Sequence, residues 1–214
     1  MNTMSSFAPE ENKHVILKDK REIHLNDEGG KETISIVCNG ETVFSFQNKE
    51  DYGGGSIWLS PSQSYLLFAY YSGQSEEGFT LFRITDKLEE VYKSYLIGEG
   101  ASYCFSEDEK LLIQVLQNNC TPWDYDIEDL TEKDENGNLF YDFGYINIFD
   151  IEKKAMSEHL IRVYHSDYEH FFETEYNDRS LSPTMAGANV LKLSMPWGDE
   201  TFNFPLKGKI IFRH

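Results

Sequence analysis

The chain has 214 residues, with 37 acidic and 19 basic side chains and a net charge of −18. That length allows one sizeable core and is short for two ordinary domains, so a single domain over 1–214 is expected. The charge excludes nucleic-acid binding by phosphate neutralisation, which needs a basic face. The longest apolar stretch, Tyr65–Tyr71, is far below the ~20 residues of a membrane-spanning helix.

The first residues, Met1 to Glu11, carry neither a basic nor an apolar leader segment, so a cytoplasmic location is expected. Cys38, Cys104 and Cys120 include no C-x-x-C pair and read as neither a disulfide framework nor a zinc site. Cys38 and Cys104 lie in apolar alternating runs, where a thiol behaves as a small hydrophobe.

Helical periodicity is scarce, and short alternating runs of β-branched and aromatic residues predominate. Ile34–Cys38, Asn39-Gly40 and Glu41–Phe46 form the clearest unit, because Asn-Gly suits the two positive φ angles of a type I′ hairpin turn. Gly53–Ser56 lacks the Gly-Lys-Ser/Thr ending of a phosphate loop and precedes a strand, so it reads as a flexible lead-in. The segment from Gly54 to Phe68 aligns with Gly100 to Gln114 at an offset of 46, with identities at Gly54/Gly100, Ser56/Ser102, Ser60/Ser106 and Leu66/Leu112. The same offset carries Ile36 onto Phe82 and Cys38 onto Ile84. In a third copy Phe149 falls on Phe82 and Ile151 on Ile84 at an offset of 67, so 21 extra residues enter between Gln114 and Tyr145.

A period near 46 has room for about four strands, the length of one propeller blade. The expected fold is therefore all-β: a small propeller-like array of about four antiparallel four-stranded sheets, one repeat carrying an acidic insertion. The blades are expected near 15–46, 56–97, 102–164 and 170–213. The last would hold the strands Asn189–Ser194, Thr201–Phe204 and Lys209–Arg213, with no clear first partner.

Phe105-Ser-Glu-Asp-Glu-Lys-Leu-Leu112 and Leu59-Ser-Pro-Ser-Gln-Ser-Tyr-Leu66 resemble the strand–turn–strand segment of WD40-type and related propeller blades. Phe82-Arg83-Ile84 and Phe149-Asp150-Ile151 sit where that family carries its Trp-Asp pair. The resemblance spans Ile34 to Ile151 less the insertion, and it departs from the family in lacking the Gly-His pair and the Trp. Trp123-Asp124 falls inside the insertion and carries no family weight. The resemblance implies a scaffold for binding other macromolecules and names no substrate.

There is no G-x-S-x-G elbow, and the acids around Glu132–Gly137 fail the EF-hand spacing, since Phe143 would occupy the position of the bidentate Glu. His159, His165 and His170 cluster with Glu158, Asp167 and Glu169, but on a strand His159 and His165 would stand about 20 Å apart. No catalytic residue, cofactor or metal is therefore assigned. The insertion carries more information. From Gln117 to Gly144 it holds eight acids and one base, interleaved with Trp123, Tyr125, Ile127, Leu130, Leu139, Phe140, Tyr141 and Phe143. Leu139–Phe143 could pack as a strand; alternatively the whole loop, lying outside the blade core, docks on a basic partner.

The expected function is a non-enzymatic protein-binding module, an acidic inhibitor or immunity-type protein that caps a basic partner such as a nuclease. Trp123 and Tyr125 would be its anchors, with Asp124, Asp126, Glu128 and Asp129 as the charged rim. A hydrolase or lyase using carboxylates or His165 and His170 in a propeller channel is the alternative. A self-assembling blade array is a third reading.

Overall fold

The computed structural model describes residues 13–48, 55–71, 76–97, 99–117, 132–164, 181–195, 198–208 and 210–212. They are all-β, arranged as four sheets in chain order, and the strand connections within each sheet are largely antiparallel meanders. This is the sheet type of propeller-like folds. Among the described residues no helix is long and apolar enough to cross a membrane, which leaves β-barrel spans unaddressed. The chain divides into two compact units, within 7–97 and within 98–214.

In the first unit, β1 (His14–Ile16), β2 (Glu22–Glu28), β3 (Lys31–Cys38) and β4 (Glu41–Gln47) form one sheet in that order. Asn39 and Gly40 take φ angles of 53° and 82°, the left-handed pair that the Asn-Gly turn requires. Alternation then places Ile23, Leu25, Ile34 and Ile36 on the buried face. The second sheet is β5 (Ser56–Leu59), β6 (Tyr65–Tyr71), β7 (Glu76–Ile84) and β8 (Leu88–Ile97). It is buried on both faces: Leu66, Phe68 and Phe82 on one, Trp58, Leu67 and Leu81 on the other. That explains why Tyr65–Tyr71 reads as a continuous apolar run rather than an alternating one. Ile23, Ile34, Ile36, Ile57, Leu66, Phe68 and Phe82 belong to one core.

In the second unit, β9 (Glu99–Phe105), β10 (Leu111–Gln117), β12 (Leu139–Asp150) and β13 (Ala155–Tyr164) run in sequence. The short β11 (Glu132–Lys133) pairs with β12. A final strand, β17 (Ile210–Phe212), pairs in parallel with β13. The fourth sheet is β14 (Ser182–Gly187), β15 (Val190–Met195) and β16 (Gly198–Asn203). Cys104, Ile113, Val115, Ile146 and Ile148 of the third sheet share a core with Leu191, Leu193 and Met195 of the fourth.

Two details differ from the sequence reading. The strand expected at Lys209–Arg213 does not complete the fourth sheet but extends the third, where Ile210 lies opposite Ile161. The fourth sheet therefore has three strands among the described residues. Its first is Ser182–Gly187, a segment that strand propensity hides because it holds Pro183 and ends in glycine. Pro183 is tolerated there because, among the described residues, β14 is an edge strand paired only with β15.

The offset of 46 survives as strand register. Ser56, Ile57, Trp58 and Leu59 pair with Ala69, Phe68, Leu67 and Leu66. Their equivalents Ser102, Tyr103, Cys104 and Phe105 pair with Val115, Gln114, Ile113 and Leu112. Ile36, Phe82 and Phe149 are buried at matching places on the third main strand of their sheets, opposite Ile23, Leu66 and Leu112. Phe82→Ala and Phe149→Ala are each expected to lower stability by about 3–5 kcal/mol, as for other enclosed aromatics. Urea denaturation checks this, and losses below about 1 kcal/mol would mean the rings are not enclosed.

Candidate functional site

Trp123, Asp124, Tyr125, Asp126, Glu128 and Asp129 lie outside the described residues, as do Cys120, His165, Asp167 and His170. The far end of the insertion is described. Residues 134–138 turn β11 into β12: Asp134 Oδ1 accepts the Asn136 and Asn138 amides at 2.9 and 2.8 Å, and Gly137 takes a φ of 84°. The Asn138 side chain first, then these amides, hold the Asp134 carboxyl below its usual range.

From Leu139 the chain already belongs to β12, which pairs with β13 from Phe140 opposite Tyr164 onward. Phe140 and Phe143 are buried, and Phe143 lies in the core of the second unit. The expectation that the insertion stands outside the core is therefore corrected for this end. The physical reason is the bulge between Asp142 and Gly144, which breaks the alternation and brings Phe143 into the same core as Ile146 and Ile148. Gly144, at that bulge, is required by close approach, because a Cβ there would collide with the Leu116 carbonyl.

One ion pair secures this end. Arg162 is buried, its Nε donates to Asp142 Oδ1, and its guanidinium lies 4.5 Å from the centre of the Phe140 ring. The Tyr164 hydroxyl donates to Asp134 Oδ2 at 3.3 Å. Asp142, read from the sequence as one of eight loop acids, is thus half-buried and charge-paired.

The second unit also holds a cavity of about 650 Å³. Leu111, Ile148, Met156, Phe204 and Leu206 give it apolar walls, and Asp150, Lys153 and His159 line it as well. Lys153 and Asp150 form a 2.6 Å ion pair that holds the Asp150 carboxyl below its usual range. His159 Nδ1 is 3.2 Å from the Gly208 carbonyl oxygen.

A cluster that the sequence reading missed sits on the first sheet. His14 Nε2 and His24 Nε2 lie 3.1 and 2.9 Å from the same oxygen, Oε2 of Glu22. The imidazoles of His24 and His14 hold the Glu22 carboxyl below its usual range. The only sequence signal is the alternation Glu22-Ile23-His24, which puts acid and imidazole on one face. Nothing in the linear spacing announces His14, since it comes from the neighbouring strand.

Among the described residues one acid is fully enclosed. Glu32 has no exposed surface; Gly55 N–H donates to Oε1, and Asn48 Nδ2 donates to Oε2 at 3.3 Å. A Cβ on Gly55 would strike both Glu32 and Phe68, so this glycine is demanded by packing and not by flexibility. Burial is the main influence on Glu32 and raises its pKa. Burial likewise pushes the Cys104 thiol up to about 12, which makes it an inert hydrophobe.

No protein-family model matches the chain, and neither does any curated protein sequence. Among solved structures, the chain is similar to hydrazine synthase of Kuenenia stuttgartiensis, with 16% identity and a TM-score of 0.47 over 84% of this chain and 48% of that one. It is also similar to the WD40 domain of SCAP from fission yeast, with 10% identity and a TM-score of 0.43 over 84% and 44%. An uncharacterized protein of Listeria monocytogenes EGD-e gives 10% identity and a TM-score of 0.39 over 93% and 65%. The chain thus spans about half the length of the first two. At these scores the likeness carries no function across.

The enclosed carboxyl gives a pH test. Because its folded pKa is raised, Glu32 binds more protons folded than unfolded, and its contribution to stability falls as pH rises from the unfolded value of about 4.3 to the folded one. Glu32→Gln is therefore expected to be more stable than wild type at neutral pH, with the difference vanishing below about pH 4. Thermal melts across pH check this; a constant difference at every pH would assign the effect to packing.

Proposed function

We propose that the protein is a non-enzymatic, cytoplasmic binding module of degenerate WD40-type blades. In this reading it presents an acidic loop to a basic protein, as an inhibitor or immunity-type protein would. One observation carries it: strands β10 and β12 are direct neighbours, Gln117 opposite Gly144, yet the residues between them bring acids and aromatics that blade repetition does not need. The far end of that segment is fastened by the Arg162–Asp142 pair and the Asp134 turn. A rigid scaffold with a variable loop is the common way for such folds to carry specificity.

Charge supports the same reading. A net −18 steers a basic partner over distances longer than any contact and gives association a strong salt dependence. Trp123 and Tyr125 would anchor the complex, and Asp124, Asp126, Glu128 and Asp129 would form its rim.

The partner is first isolated from the native cell with the tagged chain, at which point it should prove basic and stoichiometric. Binding kinetics of variants then test the loop. Neutralising the four rim acids is expected to slow association and flatten its salt dependence, because exposed charges act through a field screened over ~8 Å. Trp123→Ala is expected to speed dissociation, at a cost of about 2 kcal/mol. Unchanged kinetics in both variants would move the interface off the loop.

A further inference from the structure

The His14–Glu22–His24 cluster lies on the sheet face opposite the core. Val15 and Ile23, the intervening pair, point to the buried side, so the two imidazoles and the carboxylate face outward, with 45%, 35% and 42% of their side-chain surfaces exposed. His14 lies directly opposite His24 in the strand register. That pairing is peculiar to this sheet. With the register of the second sheet, where Ile57 faces Phe68, the position of His14 would face Leu25. The turn after β1 closes one residue earlier, with the Leu17 amide donating to the Arg21 carbonyl where Ser60 donates to Tyr65. This places the second imidazole beside the first, their ring centres 4.4 Å apart.

We propose that His14, Glu22 and His24 bind one zinc ion through Nε2, Oε2 and Nε2. These ligand atoms lie within 4.8 Å of one another. Bonds of about 2.0–2.1 Å at tetrahedral angles put neighbouring donors about 3.3 Å apart. The observed Nε2–Oε2 separations of 3.1 and 2.9 Å need open by only a few tenths of an ångström. Two imidazoles among three donors select zinc and its late first-row neighbours over calcium or magnesium, which take oxygen shells. The fourth position faces solvent and takes a water. The ion would join β1, an edge strand of three residues, to β2 by bonds from both, adding a cross-link where the strand pairing of this sheet is shortest.

Titration of the full chain with zinc chloride by calorimetry tests the site. Wild type is expected to take one ion with affinity lost at least about tenfold in His14→Ala and His24→Ala, since even outer partners of a ligand are worth that much. His159→Ala is expected to bind like wild type. A wild type that takes no zinc, or His14→Ala and His24→Ala binding as tightly as wild type, would overturn the proposal. A second readout uses the unaltered protein: zinc should shift the imidazole NMR signals of His14 and His24, and shifts confined to other histidines would overturn it.

Discussion

The turn between the first two strands of a sheet is built the same way three times, and the register of everything after it depends on that turn. At Leu17, Ser60 and Ser106 the carbonyl accepts the amide three residues on, from Lys20, Gln63 and Glu109. Those three residues take φ angles of 70°, 66° and 55°. The side chains of Asp19, Ser62 and Asp108 then accept the amides of Arg21, Ser64 and Lys110. A one-residue change in where such a turn closes moves every side chain of one of its two strands to the other face. The turn therefore decides that Ile23, Leu66 and Leu112 point inward to meet Ile36, Phe82 and Phe149. The first turn closes one residue short of the others, which places His14 opposite His24.

The charge of the chain has little structural use in these sheets. Asp19–Arg21, Asp150–Lys153 and Lys192–Asp199 are surface pairs, and such pairs contribute little to stability. Arg162 differs because it is buried beside Phe140, so its pairing with Asp142 is needed to keep the charge tolerable there. Glu32 is enclosed with neutral donors, and burial raises its pKa. Selection for stability alone would favour neither the enclosed acid nor an excess of 18 negative charges. The excess has its physical consequence at long range, in the negative field around the molecule.

Much of the fold was legible in the sequence because its signals are local. Asn39-Gly40 marks its hairpin, and the Ser60 and Ser106 turns share enough residues to expose the period of 46. The equivalent first turn, Leu17-Lys18-Asp19-Lys20-Arg21, is masked in the sequence because a leucine stands where the others have serine, although the bond from the amide three residues on to its carbonyl is the same. The pairing of β17 with β13 was hidden for another reason. Parallel pairing between strands that have the whole fourth sheet between them in the chain leaves no local mark, and Ile210–Phe212 fits either sheet by composition. Of the candidate sites, the loop acids and aromatics could be read directly. The partnership of His14 with Glu22 and His24 depends on strand register, and the burial of Glu32 depends on the close approach of Gly55. Neither is written in spacing.

The repeated turn can be examined one amide at a time. In native-state hydrogen exchange followed by NMR, the amides of Leu17, Ser60 and Ser106 each donate across their turn and should exchange as slowly as core strand amides such as those of Ile36, Phe82 and Phe149. If any of the three exchanges at the rate of an open chain, that turn is not formed, and the register built on it is wrong.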